Sequence, residues 1–372
     1  MSSYTCHIDK NFQHTAVLRQ CLLNHIPIFQ DNDFPYEKNK IVLDNGYHQQ
    51  VIDWDSLLIY FYKKAALCYN QNYDFYYLKN AVSDACRSCY DLLCSGSSYM
   101  RFGIEEKMLE RKGKNISLAS QDIYYACKIS KIVIDANPNI RDVLIGGSYY
   151  SFFSDLSRTK AIGEIMRISN VYYPLINDMH NAIILPDATP FPQKTSEIFN
   201  TPLIIDECVK NLYLKNNGEY FTEDRNRFSQ RMYYGGDMPW AAASNKTKIA
   251  YANERAAQHN ESLQYEETYQ ENVHILNEFL QYAHHKRITV WLLAFPMTEA
   301  YRYAFNPKFK EYYYQALESL DYEIQHIDFN DADVFSDSDF NDMDHLNDTG
   351  AAKATSILNS ILCETELSHV NI

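Results

Sequence analysis

The chain has 372 residues, 46% of them hydrophobic and 22% charged, and its formal net charge is -14. This composition excludes a disordered chain, and the length suits one large α/β domain with additions or two modest domains. The acidic balance disfavours nucleic acid as a partner, because binding to a phosphate backbone depends on clustered Lys and Arg.

The N-terminus and the cysteines both predict a cytoplasmic protein. The first residues lack the uninterrupted apolar run of a signal peptide, and no later stretch approaches the ~18 apolar residues of a membrane span. The 9 cysteines are an odd, scattered set, which is typical of reduced thiols rather than of a disulfide framework. Cys86 and Cys89 have metal-site spacing, but no second pair or nearby histidine completes a site, so we expect no metal.

From about residue 90, short apolar runs alternate with helical stretches, which is the pattern of a parallel sheet with helical crossovers. The predicted strands are Tyr90–Cys94, Asn115–Leu118, Asp142–Gly146, Ile288–Phe295 and Tyr322–Ile327. We therefore predict a three-layer, doubly wound α/β domain of about five parallel strands over residues 89–362. An appended region would precede it over residues 1–88, and a tail would follow over residues 363–372.

Residues from about 160 to 260 interrupt this alternation, and long insertions in such folds commonly become lids or binding surfaces. We interpret this segment as a substrate cap. Aromatic side chains in and near it are candidates for substrate binding, although most of the 31 tyrosines should serve packing. The candidates are Tyr149, Tyr150, Tyr233, Tyr234 and Trp240.

Two helices are predicted between and before the last two strands. An apolar stripe at spacings of three and four predicts a long helix that covers the sheet, and Asn306-Pro307 predicts the start of a second helix that ends near Leu320. The stripe consists of Tyr265, Tyr269, Val273, Leu276 and Leu280.

Ser98 is the candidate nucleophile, because it lies where the first predicted strand turns into a helix. Gly96 permits a tight backbone there, and the N–H groups of the following helix N-terminus are available to an oxyanion. Serine at a helix start is also a common cap, so Ser98 needs a base to be catalytic.

The candidate base is His345, and Asp342 is the candidate acid that orients it. Residues three apart on a loop or turn face the same side, so Asp342 can accept from one ring nitrogen while the other faces Ser98. We expect Asp344, adjacent to His345, to point elsewhere. Both segments follow strands, and the carboxyl ends of parallel strands meet at one edge of the sheet. The alternative is a polar loop that only caps the last helix through Asp348 or Thr349.

These motifs resemble the SGNH, or GDSL-like, hydrolase superfamily, in particular its bacterial branch of surface-polysaccharide-modifying proteins. The resemblance covers residues 90 to 362. Gly96-Ser97-Ser98 matches the nucleophile block, and Asp342 with His345 matches the Asp-x-x-His block. The resemblance implies a flavodoxin-like fold and a triad of Ser98, His345 and Asp342.

The two middle blocks of the superfamily depart from its pattern here. Ser120 takes the place of a glycine whose N–H lines the oxyanion hole, and Ser148 takes the place of an asparagine donor. By resemblance, the oxyanion hole would consist of Ser98, Ser120 and Ser148. Loss of one such donor can cost on the order of 10²–10³ in rate.

The resemblance implies ester hydrolysis or O-acetyl transfer on a carbohydrate, such as a surface-glycan precursor, through an acyl-enzyme. We expect no resident cofactor, although a transferase would take its acyl group from acetyl-CoA or another donor. Two alternatives remain open: a lipid or thioester hydrolase of the same superfamily, and a non-catalytic glycan-binding relative. The oligomeric state has no signal in the sequence.

Overall fold

A computed structural model describes residues 5–12, 26–38, 40–53, 73–87, 89–183 and 238–370. These residues fall into two units, one that holds the described residues up to Tyr77 and one that holds those from Leu78 onward. Helix α1, Tyr73–Arg87, begins in the first unit and ends in the second.

The first unit contains a four-stranded sheet in the order β2-β1-β3-β4. Its strands are β1 Thr5–Asp9, β2 Ile28–Asp31, β3 Lys40–Asp44 and β4 Gln49–Asp53. Strand β1 pairs parallel with β2 and antiparallel with β3, which in turn pairs antiparallel with β4. Alternate side chains of β1, Cys6 and Ile8, are fully buried, as the two-residue period of a strand requires when one face is covered.

The second unit contains a five-stranded sheet in the order β6-β5-β7-β8-β9, and every pair in it is parallel. The strands are β5 Leu92–Gly96, β6 Gly113–Asn115, β7 Asp142–Gly147, β8 Thr289–Ala294 and β9 Gln325–Asp328. The sequence-based prediction of an α/β domain with five parallel strands is therefore confirmed. The bounds differ by a few residues because apolar composition marks the middle of a strand better than its ends.

Helices flank this sheet, as in a three-layer α/β arrangement. In order they are α2 Ser98–Gly103, α3 Ile123–Ala136, α4 Ile162–Arg167, α5 Tyr173–Ile176, α6 Asn245–Asn260, α7 Glu266–Lys286, α8 Glu299–Ala304, α9 Lys308–Glu318 and α10 Asp348–Val370. Neighbouring residues of β7 face different helices: Ile145 lines a cavity with Ala126 of α3, whereas Gly146 lies against Met100 of α2. Since successive strand residues point to opposite faces, α2 and α3 cover opposite sides of the sheet.

Two predicted elements differ from the structure. Strand β6 is Gly113–Asn115 and shares only Asn115 with the predicted strand Asn115–Leu118. The residues after Asn115 still run along β5, because the N–H groups of Ile116 and Leu118 donate to the Cys94 and Gly96 carbonyls at 2.8 and 3.1 Å. The stretch Tyr99–Glu110 has a helical sequence pattern, but the helix that begins at Ser98 ends at Gly103, and the extended backbone of Ile104 follows it.

The long helix α7 is present, but its buried face differs from the predicted stripe at one end. Tyr265 is 51% exposed and precedes the helix, so its assignment to the buried stripe is wrong. Leu276 and Leu280 are buried as predicted, and Asn272 is buried beside them. The Asn272 amide reaches the carbonyl oxygens of Phe152 and Ser154, so a polar residue occupies the covered face.

Helix α10 runs beyond the predicted end at Leu362 and packs against the segment that follows α2. The Thr355 hydroxyl accepts the Glu105 N–H at 2.8 Å, and the Asn359 amide donates to the Met108 carbonyl at 2.8 Å. The last helix of the chain therefore holds the segment that follows the nucleophile segment.

Gly96, the last residue of β5, has no room for a side chain. Its φ is 131°, and a Cβ atom would lie 2.1 Å from the Gly146 carbonyl oxygen. We expect Gly96→Ala to lower the free energy of unfolding by at least about 2 kcal/mol, through left-handed strain and overpacking. Urea unfolding measures this loss. Gly163→Ala is the control, because a Cβ at Gly163 meets nothing within 4 Å; equal effects of both changes would contradict this account.

The predicted cap lies partly outside the described residues, and so do the candidates Tyr233 and Tyr234. Its described parts include α4, α5 and α6. Among the helices of the described residues, none combines the length and apolar character that a membrane crossing needs.

Candidate active site

Ser98 is the first residue of α2 and follows directly after the close contact between β5 and β7. The Ser97 N–H donates to the Gly146 carbonyl at 3.1 Å, which fixes the turn just before the candidate nucleophile. Ser98 itself is half-buried. Its position at the carboxyl end of a parallel strand is the edge where such sheets bind their ligands.

A tight loop before α10 carries the candidate base and acid. Phe340 and Leu346 form an isolated antiparallel bridge, and the Asn341 N–H donates to the His345 carbonyl at 2.9 Å, so the loop is closed at its base. The Thr298 hydroxyl donates to the Met343 carbonyl at 2.8 Å, which holds the loop tip next to the end of β8. The backbone of this loop is therefore fixed from both sides.

The structure brings Ser98, His345 and Asp342 together. The Ser98 Oγ atom lies 2.9 Å from His345 Nε2, and the Asp342 Oδ2 atom lies 2.9 Å from His345 Nδ1. His345 and Asp342 are 3% and 2% exposed. A hydroxyl on one ring nitrogen and a carboxylate on the other is the arrangement in which imidazole can take a proton from serine.

Asp342 also shapes the loop that holds it. Its Oδ1 atom accepts the backbone N–H of Asp344 at 2.9 Å and that of His345 at 2.7 Å. These bonds bend the backbone around the carboxylate and place the imidazole over it. The spacing of Asp342 and His345 therefore has a second effect, because it lets the Asp342 side chain close a turn of the backbone.

The expectation that Asp344 points elsewhere is wrong. Its Oδ1 atom lies 3.1 Å from His345 Nδ1, so two carboxylates face the same ring nitrogen. The reason is the turn around Asp342, because it brings the residue before His345 onto the imidazole side of the loop. Asp344 is 1% exposed.

Two further residues hold the other oxygen of Asp344. The Tyr99 hydroxyl donates to Oδ2 at 2.7 Å, and Arg255 Nε of α6 lies 3.3 Å from the same atom. The Tyr99 ring also stacks on the His345 ring, with centroids 4.9 Å apart and an interplanar angle of 11°. Sequence reasoning missed the contacts of Asp344, Tyr99 and Arg255 with this site.

Burial and charge set the protonation of the buried groups. Burial raises the pKa of Asp342 above its ordinary value, although the His345 charge opposes this. Burial would also raise the pKa of Asp344, but the charges of His345 and Arg255 hold that pKa well below its ordinary value. Burial would lower the pKa of His345, but the two facing carboxylates raise that pKa to about 10.

Ser120, the candidate for the second oxyanion donor, has an unusual backbone. Its φ is 56°, in the left-handed region that glycine adopts most easily. The residue is half-buried and lies two residues before Asp122, the N-cap of α3. The Asp122 side chain accepts the Tyr125 N–H. The backbone there has the conformation expected where the resemblance places a glycine.

Ser148, the candidate for the third donor, is 2% exposed, and its hydroxyl borders a cavity of about 20 Å³. Ser97, Gln121 and Tyr313 line the same cavity, and one side-chain oxygen of each of these four residues has no hydrogen-bond partner among the described residues. A space of this size is large enough for one water molecule, although most of its lining is apolar. The cavity lining does not include Ser98.

The described aromatic candidates serve the packing of the fold. Tyr149 is 5% exposed and donates its hydroxyl to Asp328, and Trp240 is 1% exposed with its indole N–H on Asp337. Tyr150 is half-buried, and its ring stacks on His259 at 3.9 Å between centroids. Of these three candidates, Tyr150 lies beside Tyr99, with the two hydroxyl oxygens 3.3 Å apart.

Two clusters within the described residues contain enough acidic and histidine side chains to suggest a metal site. In the first, Asp155, His180 and Glu271, the Arg158 guanidinium already pairs with both carboxylates. The second is the group of Asp342, Asp344 and His345, where Arg255 pairs with Asp344. A resident cation in each cluster disfavours a metal ion there. Cys86 is half-buried on α1, whereas Cys89 is exposed beyond the end of that helix, so the interpretation of this pair as one helical face is wrong.

The sequence of the whole chain was compared with family models and with curated proteins. No family model matches it. The search of curated proteins likewise finds no match. The resemblance to the SGNH superfamily therefore stays a prediction, and the function is argued from the geometry of the site.

Proposed function

We propose that the chain is a serine-dependent ester hydrolase or O-acyl transferase of the SGNH type, with Ser98, His345 and Asp342 as its catalytic triad. The observation that carries the proposal is the unbroken contact from Ser98 Oγ through both nitrogens of His345 to Asp342, over two distances of 2.9 Å. Residues 247 apart in sequence meet here, and local capping of a helix does not require such a contact.

The reaction that this geometry supports starts from the neutral form of His345, which becomes available as the pH rises toward its pKa of about 10. Ser98 Oγ attacks an ester carbonyl while His345 Nε2 takes the hydroxyl proton. The ester C–O bond then breaks, and His345 returns the proton to the departing alkoxide. Water or an acceptor hydroxyl resolves the acyl-enzyme by the same steps in reverse. The imidazolium that forms is stabilised by the carboxylate on Nδ1.

The oxyanion would be held by backbone N–H groups. The N–H of Ser98 belongs to the first turn of α2, where helical N–H groups have no partner within the helix. The left-handed backbone of Ser120 supports its assignment to the glycine position of the second block. The Ser148 hydroxyl borders the buried cavity, and its part in the oxyanion hole rests on the resemblance alone.

The substrate class and the transferase alternative also rest on the resemblance. A carbohydrate ester, for example an O-acetylated surface-glycan precursor, is the substrate we propose, with an acyl donor such as acetyl-CoA if the second acceptor is a sugar hydroxyl. A cytoplasmic location is part of the same proposal. Esterase and transferase share every step up to the acyl-enzyme, so the triad serves both.

Labelling with a fluorophosphonate tests the reaction class directly. Because the reagent phosphonylates only an activated serine, we expect one adduct per chain, on Ser98, detected by peptide mass spectrometry. The folded full-length chain is required, since the base is contributed by a distant loop.

The matched control is the same chain after urea unfolding, which should give no adduct. An adduct on another serine would contradict the assignment of Ser98. Complete resistance of the folded chain at every pH between 6 and 10 would contradict the enzyme proposal and favour a binding protein that keeps the fold.

A further inference from the structure

The environment of Asp344 is more elaborate than a loop residue needs. Its side chain is buried, one oxygen is held by Tyr99 and Arg255, and the other lies 3.1 Å from His345 Nδ1 with no hydrogen-bond partner among the described residues. Burying a carboxylate oxygen without a donor is costly unless a charge compensates it. The positive charge that can compensate Oδ1 is the protonated imidazole.

We propose that Asp344, held between Arg255 and Tyr99, is a second orienting carboxylate for His345, so that the site is matched to the imidazolium rather than to the neutral ring. Asp344 acts through His345 and is therefore a positioning residue. For its effect on rate the inference rests on the proposed function, but its effect on the imidazole does not.

The charge balance of the cluster supports this assignment. Asp342 and Asp344 carry two negative charges, and Arg255 carries one positive charge, so the group is neutral only when His345 is protonated. Imidazolium forms when Ser98 gives up its proton, and the two carboxylates stabilise that state. The same charges keep the resting ring protonated below its pKa of about 10, so the neutral base becomes available as the pH rises toward that value. A site with Asp342 alone, without Asp344 and Arg255, would also be neutral when His345 is protonated. It would lack the second carboxylate oxygen, that of Asp344, which faces Nδ1.

The geometry also explains why Arg255 and Tyr99 are needed. One oxygen of Asp344 is directed away from the imidazole by a 2.7 Å bond from Tyr99 and a 3.3 Å contact with Arg255. These two contacts fix the carboxylate plane, and the remaining oxygen faces Nδ1. Tyr99 additionally stacks on the imidazole, so one residue orients both partners.

Other titratable groups face this cluster from each element packed around it, and any pH experiment must account for them. The burial of His259 and the nearby Arg255 charge lower the pKa of His259 to about 3, so it stays neutral in the range of interest. The groups are Tyr99 on α2, Tyr150 in the turn that follows β7, Arg255 and His259 on α6, and Tyr301 on α8. Burial raises the pKa of each of the three tyrosines, so they also stay neutral.

The test uses two charge-removing variants with expected shifts of opposite sign. Asp344→Asn removes a negative charge that favours the imidazolium, so His345 should titrate at least about one pH unit lower. Arg255→Gln removes a positive charge that disfavours the imidazolium, so His345 should titrate higher. The double variant should return toward the wild-type value, because the two changes cancel.

Two readouts separate this inference from the proposed function. NMR titration of His345 in the full-length chain, with ¹⁵N-labelled histidine, reports the imidazole without any reaction. The pH profile of fluorophosphonate labelling reports the base: its acid limb should move down in Asp344→Asn and up in Arg255→Gln. Labelling that fails in the wild type while the NMR shifts appear would refute the enzyme proposal and support the inference.

The control is Asp337→Asn, which removes the ion-pair partner of Lys248 on the same helix as Arg255 and alters the acceptor of the Trp240 indole N–H. Among the described residues, Asp337 makes no hydrogen bond or ion pair with the cluster. This variant should leave both readouts unchanged. If Asp344→Asn fails to fold, Arg255→Gln still decides the question, because the inference requires His345 to titrate higher in that variant. Superimposable His345 titrations in wild type and variants would overturn the inference and leave Asp344 as a structural partner of Arg255.

Discussion

Ser98→Ala is expected to lower ester hydrolysis on the order of 10⁶-fold, because in the proposed mechanism the hydroxyl oxygen forms the acyl-enzyme. The folded chain should be nearly as stable as the wild type. The change removes one hydrogen bond from a half-buried residue, which costs about 1 kcal/mol. Initial rates with an aryl acetate, together with thermal melting, measure the two effects separately.

Ser97→Ala is the matched control for this change. Ser97 is the adjacent serine, and its hydroxyl lines the small buried cavity with Gln121 and Ser148 rather than contacting His345. Its activity should stay within about threefold of the wild type. If Ser97→Ala lost the activity and Ser98→Ala kept it, the nucleophile would be assigned to the wrong residue.

Asp342→Asn is expected to lower turnover about 10²- to 10⁴-fold, because an amide in place of the carboxylate favours the wrong imidazole tautomer. The Asn oxygen can still accept the N–H groups of Asp344 and His345, so the loop should keep its shape. The second carboxylate on Nδ1 should keep the loss toward the lower end of this range. Steady-state kinetics with the same aryl acetate measure the change.

Asp339→Asn provides the comparison for Asp342→Asn. Asp339 is an equally buried acid of the same segment, but it pairs with Lys353 and lies outside the triad contacts. It should lower stability while turnover per folded molecule stays close to normal. Near-normal turnover of Asp342→Asn itself would mean that another acid orients the imidazole.

The sequence predicted the sheet and the proximity of Ser98, His345 and Asp342 for the same physical reason. Buried parallel strands are short apolar runs, and the carboxyl ends of such strands meet at one edge. Ser98 follows such a run, and the loop with Asp342 and His345 follows another. The topology of a parallel sheet therefore predicts that Ser98 and the loop with Asp342 and His345 lie close together.

Asp344 and Arg255 were beyond that reasoning. Adjacent residues usually point in different directions, and the prediction for Asp344 followed this rule. The rule fails here because the Asp342 carboxylate accepts two backbone N–H groups and turns the chain around itself. Arg255 lies 89 residues away on α6, and its approach depends on how that helix packs, which no local pattern encodes.

The docking of α10 against the segment after α2 has a consequence for how the protein is made. The serine is synthesised 247 residues before the histidine, and the loop with the base immediately precedes α10, the last described helix. A ribosome-bound chain can therefore assemble most of the strands before the loop with His345 is made. If the proposed triad is correct, a chain that stops before residue 342 cannot activate Ser98.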